Sequence, residues 1–337
     1  MAGRDHGGGI DAARAIYGGA RSDWLDLSTG INPEPYPLPE LSPEAWTALP
    51  DQAAMDRLLT AARRFWSVPE GAAIVAAPGA SALIAQISYV APAGRVAIAP
   101  RTYNEHEASF RMAGWEIGPN AAAEVVVHPN NPDGALSLPP NAPFTTIDES
   151  FCDVTPHASL IAEAARPGRI VLKSFGKFWG LAGLRLGFAI GDPAHISALR
   201  DRLGPWAVPG PALEIGATAL EDMVWAETTR ARLDKDASRL DTLMEGVGAV
   251  TLGGTSLFRL YQVPEAPAVQ DALGREHVLT RVFPYDATWL RVGLPPKARW
   301  PQLEHALGTA GGVIRAGKAS RGNAVPPDTT RKAQSSG

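Results

Sequence analysis

Between Ala73 and Ile190 the chain alternates short, nearly continuous apolar runs with stretches of helical periodicity, and this alternation restricts the fold more than any other feature. The apolar runs are Ala73–Ala77, Arg95–Ala99, Glu124–His128, Phe144–Asp148, Arg169–Lys173 and Leu186–Ile190, mostly bounded by Pro or Gly. Helical patterns fall between them at Ser81–Val90 and Glu105–Ala113. A strand that is apolar throughout has both faces covered, so the pattern predicts an α/β fold: a mainly parallel central sheet with helices on both faces. Pro211–Gly246 carries a long helical pattern through Leu213, Ala217, Leu220, Val224, Leu233, Leu240 and Leu243.

After Gly246 the texture changes. Strand-like runs at Val250–Leu252, Ser256–Tyr261, Val278–Phe283 and Trp289–Val292, with helical patterns at Ala268–Arg275 and Arg299–Gly308, predict a smaller α/β domain. The first 50 residues, with a Pro-rich run from Asn32 to Pro43, have too little periodicity to stand alone and are expected to pack on that second domain. The division that follows is a large domain over 51–245, a small domain from 1–50 and 246–315, and a disordered tail over 316–337, rich in Gly, Ser, Pro, Lys and Arg.

The net charge of −4 gives no reason to expect nucleic acid or an anionic membrane as partner. One cysteine, Cys152, cannot form an intrachain disulfide and reads as a small packing residue. Met1–Ile10 mixes charges with glycines and lacks the apolar core of a signal peptide. The most apolar stretch, Ala72–Pro100, is interrupted by Gln86, Pro92, Gly94 and Arg95 and falls short of the ~20 apolar residues of a membrane helix. A cytoplasmic location is expected.

The strongest chemical signal is the run from Ser174 to Gly187, Ser-Phe-Gly-Lys-Phe-Trp-Gly-Leu-Ala-Gly-Leu-Arg-Leu-Gly. A serine stands three residues before Lys177 and an arginine, Arg185, eight after it, with glycines that allow tight turns. A lysine amine can form an imine with an aldehyde. A hydroxyl and a guanidinium beside it can hold a phosphate. Lys173 has no such surroundings and reads as a strand-end residue.

On these residues the chain, from about Asp26 to about Leu294, resembles the fold type I pyridoxal-5′-phosphate (PLP) enzymes of the aspartate aminotransferase superfamily. The resemblance implies that Lys177 carries the cofactor and moves protons, while Ser174 and Arg185 hold its phosphate. Gly79, Ala80 and Ser81, at the start of a predicted helix, would complete the phosphate cradle. Tyr103 would stack on the pyridine and His106 would support the aspartate beneath it. Asn131, in Pro129-Asn130-Asn131-Pro132-Asp133-Gly134, would bond the phenolic oxygen. Asp148, at a strand's end, would pair with the pyridine nitrogen, with Glu149 facing outward. Arg291, in Trp289-Leu290-Arg291-Val292-Gly293, would grip a substrate carboxylate. Phe151 stands where many relatives have Tyr, and Leu49-Pro50-Asp51 lacks the Tyr with which relatives reach a partner subunit. The resemblance also implies a homodimer.

The N-terminus narrows the reaction. His6-Gly7-Gly8 and Asp26-Leu27-Ser28-Thr29-Gly30-Ile31-Asn32-Pro33 are similar to the threonine-phosphate decarboxylases of cobalamin synthesis. That similarity implies a phosphorylated amino acid, L-threonine O-3-phosphate, as substrate, and (R)-1-amino-2-propanol O-2-phosphate as product. His6 would receive the substrate phosphate, with Gly30 and Asn32 lining the pocket. The alternative is histidinol-phosphate or related aminotransferase activity.

Overall fold

The computed structural model describes residues 6–322. Helix α1 (Ile10–Tyr17) leads to strand β1 (Leu25–Asp26), and helices α2 (Glu44–Thr47) and α3 (Gln52–Phe65) precede β2 (Ala73–Ala77). Then come α4 (Ala80–Ile87), β3 (Arg95–Ile98), α5 (Asn104–Met112), β4 (Glu116–Ile117), β5 (Ala123–Val127) and β6 (Phe144–Asp148). They are followed by β7 (Arg169–Ser174), β8 (Gly187–Gly191), α6 (Pro193–Leu203), α7 (Gly210–Glu221) and α8 (Met223–Gly246). The remainder is β9 (Val250–Thr255), β10 (Phe258–Gln262), α9 (Ala266–Arg275), β11 (Val278–Leu279), β12 (Arg281–Phe283), β13 (Asp286–Gly293) and α10 (Trp300–Gly322).

The six apolar runs are neighbours in one seven-stranded sheet of order β2-β8-β7-β6-β5-β3-β4. Its pairings are parallel except at β8, which runs antiparallel to β2 and to β7. Successive side chains of a strand point to opposite faces, and the packing follows that rule. Ile74, Ala76, Ile147, Val171, Phe188 and Ile190 join one core with Leu58 of α3, Leu213 and Leu220 of α7 and Leu233 of α8. Val75, Ala77, Ile170, Leu172 and Ala189 join the other with Leu83 and Ile84 of α4, Phe110 of α5 and Leu199 of α6. Both faces are thus covered, which is why these strands lack a polar alternation. Each large apolar side chain so buried contributes roughly 1.5–3 kcal/mol.

A second sheet, β12-β13-β10-β9, is antiparallel. The predicted strand Val278–Phe283 is divided at Thr280: β11 pairs in parallel with β1, and β12 pairs with β13. The N-terminal segment therefore reaches the small-sheet region through β1. Its Pro-rich run goes elsewhere: Tyr36 N–H donates to Trp179 O (2.9 Å), and Ser42 Oγ donates to Glu214 of α7 (2.6 Å).

Two further expectations are corrected, and one strand is added. Pro211–Gly246 is two helices, because Asp222 leaves the helical conformation and accepts from Trp225 N–H to cap α8. The two-residue β4 at the sheet edge carries too short a pattern to be read from sequence. Disorder was predicted from Ala316, yet α10 continues to Gly322, propagated from a base that buries Leu303, Leu307, Ala310 and Ile314. The rest of the predicted tail, 323–337, lies outside the described residues. Among the described residues no helix is long and apolar enough to cross a membrane.

Trp179, fully buried, stacks on Phe175 (5.0 Å between centroids, 10°) and on Trp225 of α8 (5.2 Å, 12°), tying the loop after β7 to α8. Trp179→Ala is expected to cost about 3–5 kcal/mol, read as a lowered midpoint of chemical unfolding.

Candidate active site

The carboxyl ends of the parallel strands and the facing small sheet enclose a cavity of about 430 Å³. Ligand sites of open α/β sheets lie at this edge. At one end β2 turns into α4 through Gly79 (φ 88°), and Ala80 and Ser81 line the cavity. The first N–H groups of a helix lack helical partners and favour an anion. A Cβ on Gly79 would stand 2.6 Å from Arg185 Nη2, and one on Gly187 would overlap the backbone nitrogen of Ala80. The two glycines therefore let Arg185 and the helix start converge. Arg185 itself is left-handed (φ 53°), and Ser174, ending β7, joins the same wall.

Under the cavity Asp148 ends β6 with 2% of its surface exposed. His106 Nε2 meets its Oδ2 at 2.8 Å. Ser150 donates to Oδ1 twice, from its hydroxyl (2.5 Å) and its N–H (3.0 Å). Burial by itself raises this carboxyl; His106 and Ser150 outweigh it and hold the pKa below the ordinary value. Asp148 is thus kept as an anion despite its burial.

Lys177 sits on the loop after β7, which is fixed from outside. Its carbonyl accepts from Asn32 N–H (3.0 Å), the Asn32 side-chain amide donates to Phe178 O (2.8 Å), and Gly180 (φ 69°) lies where a Cβ would be 2.7 Å from Pro35 Cα. The Lys177 amine points into the cavity, 5.2 Å from the ring centre of Phe151. Burial, then the nearby Arg291 guanidinium, pushes its pKa down to about 8, against the pull of Asp148. A lysine so placed has an appreciable neutral, nucleophilic fraction near neutral pH.

The opposite wall is cationic. Arg291 of β13 is 6% exposed and donates to Asn131 Oδ1 and to Ser28 O (2.6 Å). Its Nε is buried without a partner. Burial and the neighbouring Arg281 lower its pKa to about 10. Arg281, Ser28, Thr29, Gly30, Tyr103, Tyr285 and His6 also line the cavity. Gly30 is required there, since a Cβ would press on Phe258 (2.7 Å) and Phe151 (2.9 Å).

The family model for aminotransferase class I and II matches residues 144–309. A threonine-phosphate decarboxylase of Sinorhizobium sp is 40% identical over 315 residues, which cover 87% of this chain and 94% of the relative. That of Pseudomonas aeruginosa is 38% identical, over 90% of this chain and 97% of the relative. The chain belongs to the threonine-phosphate decarboxylase family. Among solved structures, histidinol-phosphate aminotransferase from Sinorhizobium meliloti in complex with pyridoxal-5′-phosphate shares the fold: TM-score 0.76, 17% identity, 92% of this chain and 95% of that one.

Within this family's architecture the structure gathers most of the predicted site residues on one cavity: His6, Gly30, Ala80, Ser81, Tyr103, Asn131, Asp148, Ser174, Lys177, Arg185 and Arg291. Gly79 stands behind Arg185, and His106 lies beneath Asp148. Asn32 is corrected. It is buried, and its side chain is spent on Phe178 O, Glu34 N–H and Arg232 Nη2 (2.6 Å), so it pins the lysine loop rather than lining the pocket. Glu149 does not face outward either. It is fully buried, 2.5 Å from Lys173 Nζ, with Ser159 Oγ donating to it at 2.6 Å. Lys173, 2% exposed, is therefore half of a buried ion pair.

His128, Glu149 and Cys152 lie within ligand distance of one another. They make no metal site as arranged: His128 Nδ1 accepts from Ser137 N–H and its Nε2 meets Ala158 O (2.7 Å), while Glu149 is committed to Lys173. Sequence reasoning missed Arg281, Tyr285 and Ser150 as site residues. Ser150, two residues after Asp148, was the detectable one, since a hydroxyl at that spacing commonly bonds an Asp.

The lowered carboxyl gives a pH dependence. Asp148 titrates lower folded than unfolded, so its contribution to stability is present above about pH 4 and is lost as pH falls through the lowered value. His106→Ala removes the main opposing partner and leaves burial to raise the carboxyl. Acid unfolding, followed by fluorescence, is expected to move to higher pH in that variant.

Proposed function

We propose that the protein is a PLP-dependent carboxy-lyase that converts L-threonine O-3-phosphate to (R)-1-amino-2-propanol O-2-phosphate and CO₂, a step of cobalamin biosynthesis. The observation that carries the reading is a single cavity in which the Lys177 amine lies between two anion-binding walls, one built on Arg185 and one on Arg281 and Arg291. The kinship with threonine-phosphate decarboxylases supports the choice of substrate.

The residues fit the cofactor. Gly79 and Gly187 let Arg185 and the α4 N-terminus converge, with Ser174 on the same wall, which suits a phosphate, and the anionic Asp148 suits a pyridine nitrogen that must stay protonated. Lys177 would hold the aldehyde carbon, Asn131 the phenolic oxygen, and Tyr103 one ring face. When bound, PLP supplies an electron sink for a bond broken at the substrate's α-carbon.

The chain's own groups do the rest. Arg291 grips the substrate carboxylate, and Arg281, His6 and the Ser28–Gly30 strip face the substrate phosphate. Phe151, which lines the cavity beside the Lys177 amine, keeps water from the reacting carbon. The carbon–carbon bond breaks, CO₂ departs, and the pair left on the α-carbon is protonated by Lys177, whose pKa of about 8 lets it hold and release a proton near neutral pH. We read the two sheets as centres of two domains, 51–245 and 1–50 with 246–315. We further read the protein as a cytoplasmic homodimer; the exposed Trp46 (70%) and Trp206 (60%) suit an oligomer contact.

The deciding test incubates PLP-loaded protein with L-threonine O-3-phosphate and no keto acid. Stoichiometric CO₂ and aminopropanol phosphate are expected, and Lys177→Ala should lose both this activity and the visible absorption of bound cofactor. Absence of CO₂, with amino transfer between histidinol phosphate and 2-oxoglutarate, would make the protein an aminotransferase. Arg291→Lys keeps the charge but loses the paired geometry, and a fall in kcat/KM of about 10–100-fold is expected from steady-state rates.

A further inference from the structure

His6 and Gly7 line the cavity, and the contacts of residues 6–8 come from two parts of the fold. Gly8 N–H donates to Ser28 Oγ (2.7 Å), which itself donates to Asp26 Oδ1 (2.6 Å) beside β1. Gly7 lies so close that a Cβ would stand 2.5 Å from Ser28 O. His6 instead turns to α5: its Nε2 is 3.0 Å from Glu105 Oε1, and its ring lies 6.2 Å from that of Tyr103. His6 lines the cavity, whereas Glu105 does not.

We infer that Glu105 is a positioning residue that holds His6 at the cavity and sets which ring nitrogen faces the substrate phosphate, an inference that rests on the substrate reading above. A carboxylate 3.0 Å from Nε2 biases how the ring lies, and the other nitrogen is thereby turned away from it. With Nε2 on Glu105, Nδ1 is the nitrogen left for an anion in the cavity. Glycines at 7 and 8 give the segment little stiffness of its own, so His6 needs an anchor from elsewhere in the fold. The first turn of α5 thus serves both ends of the reaction: Tyr103 and His106 address the cofactor side, and Glu105 addresses the phosphate of the substrate.

The test is a double-mutant cycle of His6→Ala and Glu105→Gln on the PLP-loaded protein, with Glu105→Asp as the conservative variant. For Glu105→Gln a rise in KM for L-threonine O-3-phosphate of up to about five-fold is expected, with kcat within two-fold. The double variant should match His6→Ala alone, and Glu105→Asp should recover part of the loss. Hydrogen exchange at the Gly8 amide should quicken equally in both single variants and no further in the double one. Multiplying effects in the double variant, or a Glu105→Gln protein equal to wild type in KM and exchange, would overturn the inference. Wild-type protein that releases no CO₂ would remove the substrate reading alone. The exchange cycle would then still decide whether Glu105 holds His6.

Discussion

Asp148 is an anion with almost no contact with water, placed at the end of a strand whose residues are all buried. An uncompensated carboxylate there would cost several kcal/mol, so the surrounding elements are arranged to meet it. His106 reaches it from α5 and Ser150 from the turn that follows β6. Once α5 is set by that bond, Tyr103 at its N-terminus and Glu105 in its first turn have fixed places. The next residue along the strand, Glu149, faces the opposite side, as strand geometry demands. There it meets Lys173, with Asp153 at 3.7 Å from the same amine and Trp66 Nε1 donating to Asp153 at 2.9 Å. One strand end therefore carries a carboxyl group on each face, and each is met by a different layer.

The lysine loop is held by different means. Its backbone is tied to Asn32 and Tyr36, and its aromatic residues Phe175, Phe178 and Trp179 are packed among Phe65, Phe188 and Trp225. Apolar packing fixes position without adding charge, which suits a loop whose function is to present an amine of lowered basicity. The N-terminal segment is a structural part of the site for this reason: residues far from Lys177 in sequence determine where its carbonyl can be.

The central strands were legible because each is apolar on both faces and ends at Pro or Gly. The motif from Ser174 to Gly187 was legible because its residues are close in sequence and act together. Asn32, Glu149 and Lys173 were not, since what decides their roles is a partner brought close only by the fold: Phe178 and Arg232 for the first, and each other for the remaining two. Arg281 sits in a strand pattern that marks it as an ordinary exposed alternate, and nothing nearby in sequence indicates the second arginine it faces. The break at Asp222 was hidden because the apolar spacing runs on through it, while the cap that makes the break is a single side chain.

The turn after β5 and the strand β9 meet backbone to backbone. Gly254 N–H donates to Asp133 O at 2.7 Å, and a Cβ on Gly134 or on Gly253 would overlap the backbone opposite. The segment that carries Asn131 and the sheet that carries Arg291 form a matched pair. Grafting the C-terminal portion of a relative onto this chain, to change which acid the cavity accepts, would have to transplant the Asn130–Ala135 turn along with it.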